Sequence, residues 1–121
     1  MRRADPARRA DGERGETLAA AFLERHGLAI VARNVRNRFG EIDIVARDGA
    51  TLVFVEVRLR RSQAFGGAAA SIAGPKRARL ARAASCYLAT LDGVPPCRFD
   101  AVLLDGLDAA RIEWLRDVLA T

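Results

Sequence analysis

The sequence predicts a single α/β domain, a mixed sheet flanked by helices, and three observations predict it. Helical apolar spacing occurs in two stretches, residues 12–26 and 76–91. Three strand-type runs lie between them and a fourth follows the second helix. The length, 121 residues, is that of one domain with room for a real core.

Residues 1–11 carry Arg2, Arg3, Arg8 and Arg9 without apolar period and are expected to form a flexible basic arm, leaving 12–121 as the folded domain. From Gly12, residues Leu18, Ala19, Phe22, Leu23 and His26 recur on one helical face, and Gly27 supplies a stop. His26 is expected to be a partly buried helix-end residue. Leu28–Val35 is β-branched and apolar. In Gly40–Arg47, Ile42 and Ile44 alternate with Glu41, Asp43 and Val45. Asp48-Gly49 is a hairpin turn signal. In Thr51–Arg60, Val53, Val55, Val57 and Leu59 share one face, and Phe54, Glu56 and Arg58 the other. Residues 62–75, rich in Gly, Ala and Ser, read as a loop that could be mobile. In the second helix Leu80, Ala84, Tyr87, Leu88 and Leu91 form an apolar face, and Lys76, Arg79 and Arg82 a basic one. Arg98–Leu104 reads as a buried strand. Arg111–Leu115 is either a short strand or a helical turn, with Trp114 as a packing residue.

Half the residues are apolar and 29% are charged, the balance of a globular protein. No apolar run approaches the roughly 20 residues of a membrane span, and the first residues lack the core of a secretory signal. Two cysteines, Cys86 and Cys97, are expected as reduced thiols in a cytoplasmic protein. His26 is the only histidine, which excludes His-based triads and His-rich metal sites. Any chemistry must run on carboxylates, arginines and one lysine. The net charge is +5, and its distribution matters more than its size. No acidic residue occurs between Glu56 and Asp92, while Arg58, Arg60, Arg61, Lys76, Arg77, Arg79 and Arg82 all fall there. Arg33, Arg36 and Arg38 form a second cluster. Such a surface suits a polyanion, nucleic acid above all, although solvated faces would leave the same pattern.

Asp43 and Glu56 interrupt strands that are otherwise apolar. An ionised carboxylate there is costly unless it is paired or binds a cation. The two strands should be antiparallel neighbours, which brings Asp43 and Glu56 close together. Two like charges at that distance call for a hard cation, Mg²⁺ or Mn²⁺. Arg58 projects to the same face as Glu56 and could hold a phosphate. Glu16, at the edge of the first helix's apolar face, could point into the same site. The alternative is a set of structural ion pairs such as Glu56–Arg58 and Glu41–Arg47.

A helix glutamate, a strand aspartate and then Glu-x-Lys resembles the restriction-endonuclease-like superfamily, including archaeal Holliday junction resolvases. More closely, GETLAAAFLERHG, ARNVRNRFGEIDIVARDG, LVFVEVRLRRSQAFG, the KRARL helix and RFDAV resemble the YraN family of small bacterial proteins, across residues 12–116. The resemblance implies a single restriction-endonuclease-like domain with Asp43 and Glu56 as metal ligands and Glu16 assisting. The sequence departs from the superfamily motif at Arg58, where the motif has lysine. Arginine stays protonated and cannot serve as a base, so activation of water would fall to the metal. Lys76 could instead reach in from the second helix.

The expected function is metal-dependent hydrolysis of phosphodiester bonds, with Glu16, Asp43, Glu56 and Arg58 at the reaction. Arg36, Arg38, Arg60, Arg61, Lys76, Arg77, Arg79 and Arg82 would contact the nucleic acid. DNA is expected ahead of RNA, and branched or flap structures ahead of a base sequence, since no base-reading motif is present. Two other functions compete. One is a binding module of the same fold that lost the reaction at Arg58; the other is a protein whose basic face meets an acidic partner. A homodimer would suit the cutting of two strands, though no interface stripe is visible. Arg98 and Asp100 are expected to give structural support.

Overall fold

The computed structural model describes residues 6–60, 75–106 and 111–118, with side chains over 12–59, 77–106 and 111–118. The elements are α1 (Pro6–Arg25), β1 (Ala29–Asn37), β2 (Gly40–Asp48), β3 (Thr51–Arg60), α2 (Pro75–Leu88), β4 (Cys97–Asp105) and β5 (Ile112–Leu115). The strands form one sheet in sequence order. β1–β2, β2–β3 and β4–β5 are antiparallel, and β3–β4 is parallel. The parallel step requires a crossover, and α2 lies in it. This is the mixed-sheet α/β domain that the sequence predicts.

Helix α1 begins at Pro6 and not near Gly12, so residues 6–11, expected as part of a flexible arm, are helical. Proline suits a first helical position because its missing N–H would have no partner there. The helix ends where Gly27 takes a positive φ of 92° and Leu28 N–H returns to Leu23 O at 3.0 Å. Residues Ala19, Ala20 and Leu23 bury against Ile44, Ala46, Val53, Val55, Val102 and Leu104 on one face of the sheet. Gly15 permits the close approach. A Cβ there would stand 3.0 Å from Leu104 Cδ1, within a fully packed face. Gly15→Leu should therefore cost about 1–3 kcal/mol by overpacking. Urea denaturation would show this, and an unchanged midpoint would mean that α1 is not seated this tightly.

The other face carries α2, whose Leu80, Ala83 and Ala84 pack on Ile42, Val45, Leu52 and Phe54. Ile42 and Ile44, expected on one face, thus lie on opposite faces. Strand β2 changes phase at Asp43. Its ladder to β3 runs from Asp48↔Thr51 to Ile44↔Val55 and stops there. The turn loop is Gly49-Ala50, one residue beyond the predicted Asp48-Gly49 centre, with Gly49 at φ 60°. That shift places Asp43 opposite Glu56, one step past the last ladder pair.

The C-terminal run is a strand. Its Trp114 packs at the edge of the α1-side core, edge-on to Phe22 and His26 at centroid distances of 6.2 and 5.8 Å. His26 is exposed, contrary to expectation. Its ring stacks on Phe22, and Nδ1 lies 2.8 Å from Phe22 O. Arg98, half-buried, and Asp100, fully buried, form a network at the turn end of the β2–β3 hairpin. Arg98 Nε lies 3.1 and 3.2 Å from the two Asp100 oxygens, and Nη1 lies 3.0 Å from Asp48 Oδ2. Trp114 Nε1–H and Asp117 N–H also donate to Asp100, each at 2.9 Å. No helix among the described residues is long and apolar enough to cross a membrane.

Candidate metal centre

Four carboxylates meet where β2 leaves β3. Glu41 and Asp43 come from β2, Glu56 from β3 and Glu16 from α1. Oxygens of Glu16, Glu41 and Asp43 all lie within 4.8 Å of one another. Asp43 is also hydrogen-bonded to Glu56. Asp43 Oδ2 accepts Val57 N–H at 2.8 Å, so its carboxylate takes a backbone donor at the point where the ladder stops. Asp43 therefore sits between the Glu16–Glu41 pair on one side and Glu56 on the other.

The electrostatics follow from this packing. Burial, reinforced by the charge of Glu56, pushes the Asp43 carboxyl up to about 8, against the opposing pull of Val57 N–H. Burial also raises Glu56, although Arg58 opposes the shift. Glu16 is raised by burial, with Arg33 opposing and Glu41 reinforcing. Its Oε1 is buried and has no hydrogen-bond partner among the described residues, while Arg33 Nη2 lies 3.7 Å from it. With all four carboxylates ionised, the negative charge exceeds that of Arg33, Arg36 and Arg58 beside them. It is a hard-oxygen donor set of the kind that Mg²⁺ or Mn²⁺ takes.

Of the residues predicted for the site, Glu16, Asp43 and Glu56 come together. Arg58 stands beside them, its Nε 3.2 Å from Glu56 Oε1. Glu41, which the sequence reading placed only in the alternative ion pair with Arg47, joins the cluster. It pairs with Arg36, whose Nε lies 2.6 Å from Glu41 Oε2. The signal for Glu41 was present in GEID, since residues two apart on a strand share a face.

The predicted nucleic-acid contacts divide. Arg38 and Arg79 line a cleft beside Glu56. Arg36 is held at Glu41. Arg77 Nη2–H donates to Val118 O at 2.9 Å, and Arg82 Nε–H to Ala78 O at 3.4 Å. Arg61 lies outside the described residues, as do the side chains of Arg60 and Lys76, so the idea of an inward-reaching Lys76 falls outside them too. A second cleft, holding Glu13, Glu16, Asn34, Arg36 and Glu41, opens on the α1 side.

A small α/β domain with a half-buried carboxylate cluster at the open end of a hairpin is the class that this fold and site define. The chain belongs to the uncharacterised protein family UPF0102, the YraN family, whose model matches residues 15–104. A UPF0102 protein of Nitrosomonas europaea is 53% identical over 106 residues, covering 88% of this chain and 90% of that protein. One from Nitrosospira multiformis is 52% identical over 90% of this chain and 92% of its own length. One from Ralstonia pickettii is 51% identical, over 97% and 95%.

Proposed function

We propose that this protein is a metal-dependent nuclease that hydrolyses phosphodiester bonds in nucleic acid, DNA ahead of RNA. The observation that carries the reading is Asp43, a half-buried carboxylate flanked by three others and raised to about 8. Such a cluster is stable with a proton or a divalent cation, and few structural roles call for it. Asp43 and Glu56 would hold Mg²⁺ or Mn²⁺, with Glu16 and Glu41 completing the donors. When bound, the ion supplies Lewis-acid polarisation of the phosphate and of water. A water oxygen bonds to phosphorus, one phosphorus–oxygen ester bond breaks, and the water's proton balances the departing alkoxide. Arg58, always protonated, donates to the phosphate oxygens and stabilises their growing charge. Arg38 and Arg79 draw the strand toward Glu56. The protein works in the cytoplasm on branched or otherwise irregular nucleic acid, and a two-fold dimer would let it cut two strands.

A second reading is binding without cleavage. It is favoured by Arg58, which replaces the superfamily lysine and is engaged with Glu56. A panel of labelled single strand, duplex, flap and four-way junction separates the two. With Mg²⁺ or Mn²⁺ the wild-type protein should cut at least one of them, and with chelator none. Salt-sensitive binding without cleavage under any condition would establish the second reading.

A further inference from the structure

A cleft of about 380 Å³ opens between the tip of the β1–β2 hairpin and the first turns of α2. The tip is the two-residue loop Arg38-Phe39, closed by the pair Asn37↔Gly40. Asn37 fixes the cleft's walls to each other. Its Nδ2–H donates to Ala83 O in α2, and its Oδ1 accepts Phe39 N–H, each at 3.0 Å. The Phe39 ring rests partly on the α2-side core and lines the cleft. The Arg38 guanidinium lies 4.8 Å over that ring. Arg38 and Arg79 are exposed, and Glu56 forms part of the lining. One cavity therefore combines an aromatic face, two exposed arginines and two carboxylates of the candidate centre, Glu41 and Glu56.

We propose that this cleft holds one unpaired nucleotide of the substrate strand, its base on Phe39 and its phosphates between Arg38 and Arg79. The protein would thereby select single-stranded or flayed nucleic acid over continuous duplex. The site rests on the nuclease reading for its purpose, but its binding can be measured apart from cleavage. An aromatic face takes any base because every base has a π-face, and flanking cations follow the backbone. A duplex base is already stacked and paired, and reaches such a ring only by leaving the helix. The guanidinium over Phe39 marks the open face of the ring. A base that takes its place frees Arg38 for phosphate, a partner its fork fits better than a ring. The cavity is within the size range of a single small ligand and is too small for a double helix.

The test measures binding, in chelator, of a short labelled oligothymidylate and of a blunt duplex to the full chain. Phe39→Ala should weaken the single strand about tenfold or more and the duplex by less than about twofold. Phe39→Trp guards against misfolding of the alanine variant. It should keep wild-type affinity, and its emission above the Trp114 background should be quenched by oligothymidylate and not by duplex. Equal losses on both probes, no loss on either, or an unquenched Phe39→Trp at saturation would overturn the proposal. If these binding results hold and the wild-type protein never cuts with Mg²⁺ or Mn²⁺, the nuclease reading fails and the nucleotide site stands. If neither probe binds, both fall.

Discussion

Asp43→Asn is expected to abolish divalent-dependent cleavage and, in the same protein, to raise the stability of the metal-free chain. The first effect should be on the order of 10³-fold, since a metal ion supplies several kcal/mol of transition-state stabilisation. The second follows from the surroundings of Asp43. Asparagine keeps an acceptor for Val57 N–H and spares the folded chain the cost of protonating or ionising a carboxyl among Glu16, Glu41 and Glu56. Mn²⁺ should raise the melting temperature of the wild-type protein and leave that of Asp43→Asn unmoved. The pH dependence has a definite sign. The folded carboxyl, raised to about 8, keeps a proton that the unfolded chain releases at its ordinary value of 3.8. The stabilisation is therefore complete below 3.8 and is lost as pH rises toward 8. Glu56 and Glu16, also raised, act in the same direction. Without metal, stability should fall across this window, and Asp43→Asn should flatten the fall. An asparagine variant that still responds to Mn²⁺ would place the ion elsewhere.

Asp100→Ala is expected to be the most damaging change to stability, by about 3–5 kcal/mol. Asp100 is fully buried and accepts from Arg98, Trp114 and the backbone of Asp117. Burial works against the Arg98 charge, but Asp100 and Asp48 outweigh it and hold the guanidinium above its ordinary value. Removing Asp100 leaves that cation and two N–H groups without their acceptor. For a domain of this size the melting temperature should drop by roughly 10–20 °C. The double variant Arg98→Met, Asp100→Ala should lose less than the sum of the two single losses, because it removes the stranded charge as well. Additive losses would mean that Arg98 finds enough compensation from Asp48.

The strands were legible as apolar and β-branched runs bounded by turn signals, with period-2 alternation clear in Glu41–Ile44 and Val55–Arg60. Asp43 and Glu56 stood out for the same reason, as acids among β-branched neighbours. What escaped was register. The predicted turn centre at Asp48-Gly49 lies one residue before the true Gly49-Ala50 loop, and it would have set Asp43 opposite Phe54. Similarly, reading Arg38-Phe39 as a two-residue turn would have put Arg36 opposite Glu41, the pair that forms. The phase change of β2 has no one-dimensional signature, because Ile42 and Ile44 are equally apolar on either face. Helical spacing put Lys76, Arg79 and Arg82 on one basic face. It could not say that Arg79 would line the cleft at Glu56, since that depends on the crossover and on Asn37.

The β2–β3 hairpin is closed at one end and open at the other. Asp48, held by Arg98, lies at the turn, and Asp43 lies five residues along the strand, about 17 Å away. Favourable and unfavourable electrostatics are therefore sorted to opposite ends of one structural unit. Arginine and aspartate settle each other at the turn, while like charges are crowded together at the splayed end. The two ends are far enough apart for substitutions in one to add independently to substitutions in the other. Stability could thus be raised at the turn to offset a more strained constellation at the mouth, and the carboxylates could be changed for new chemistry without first redesigning the domain that carries them.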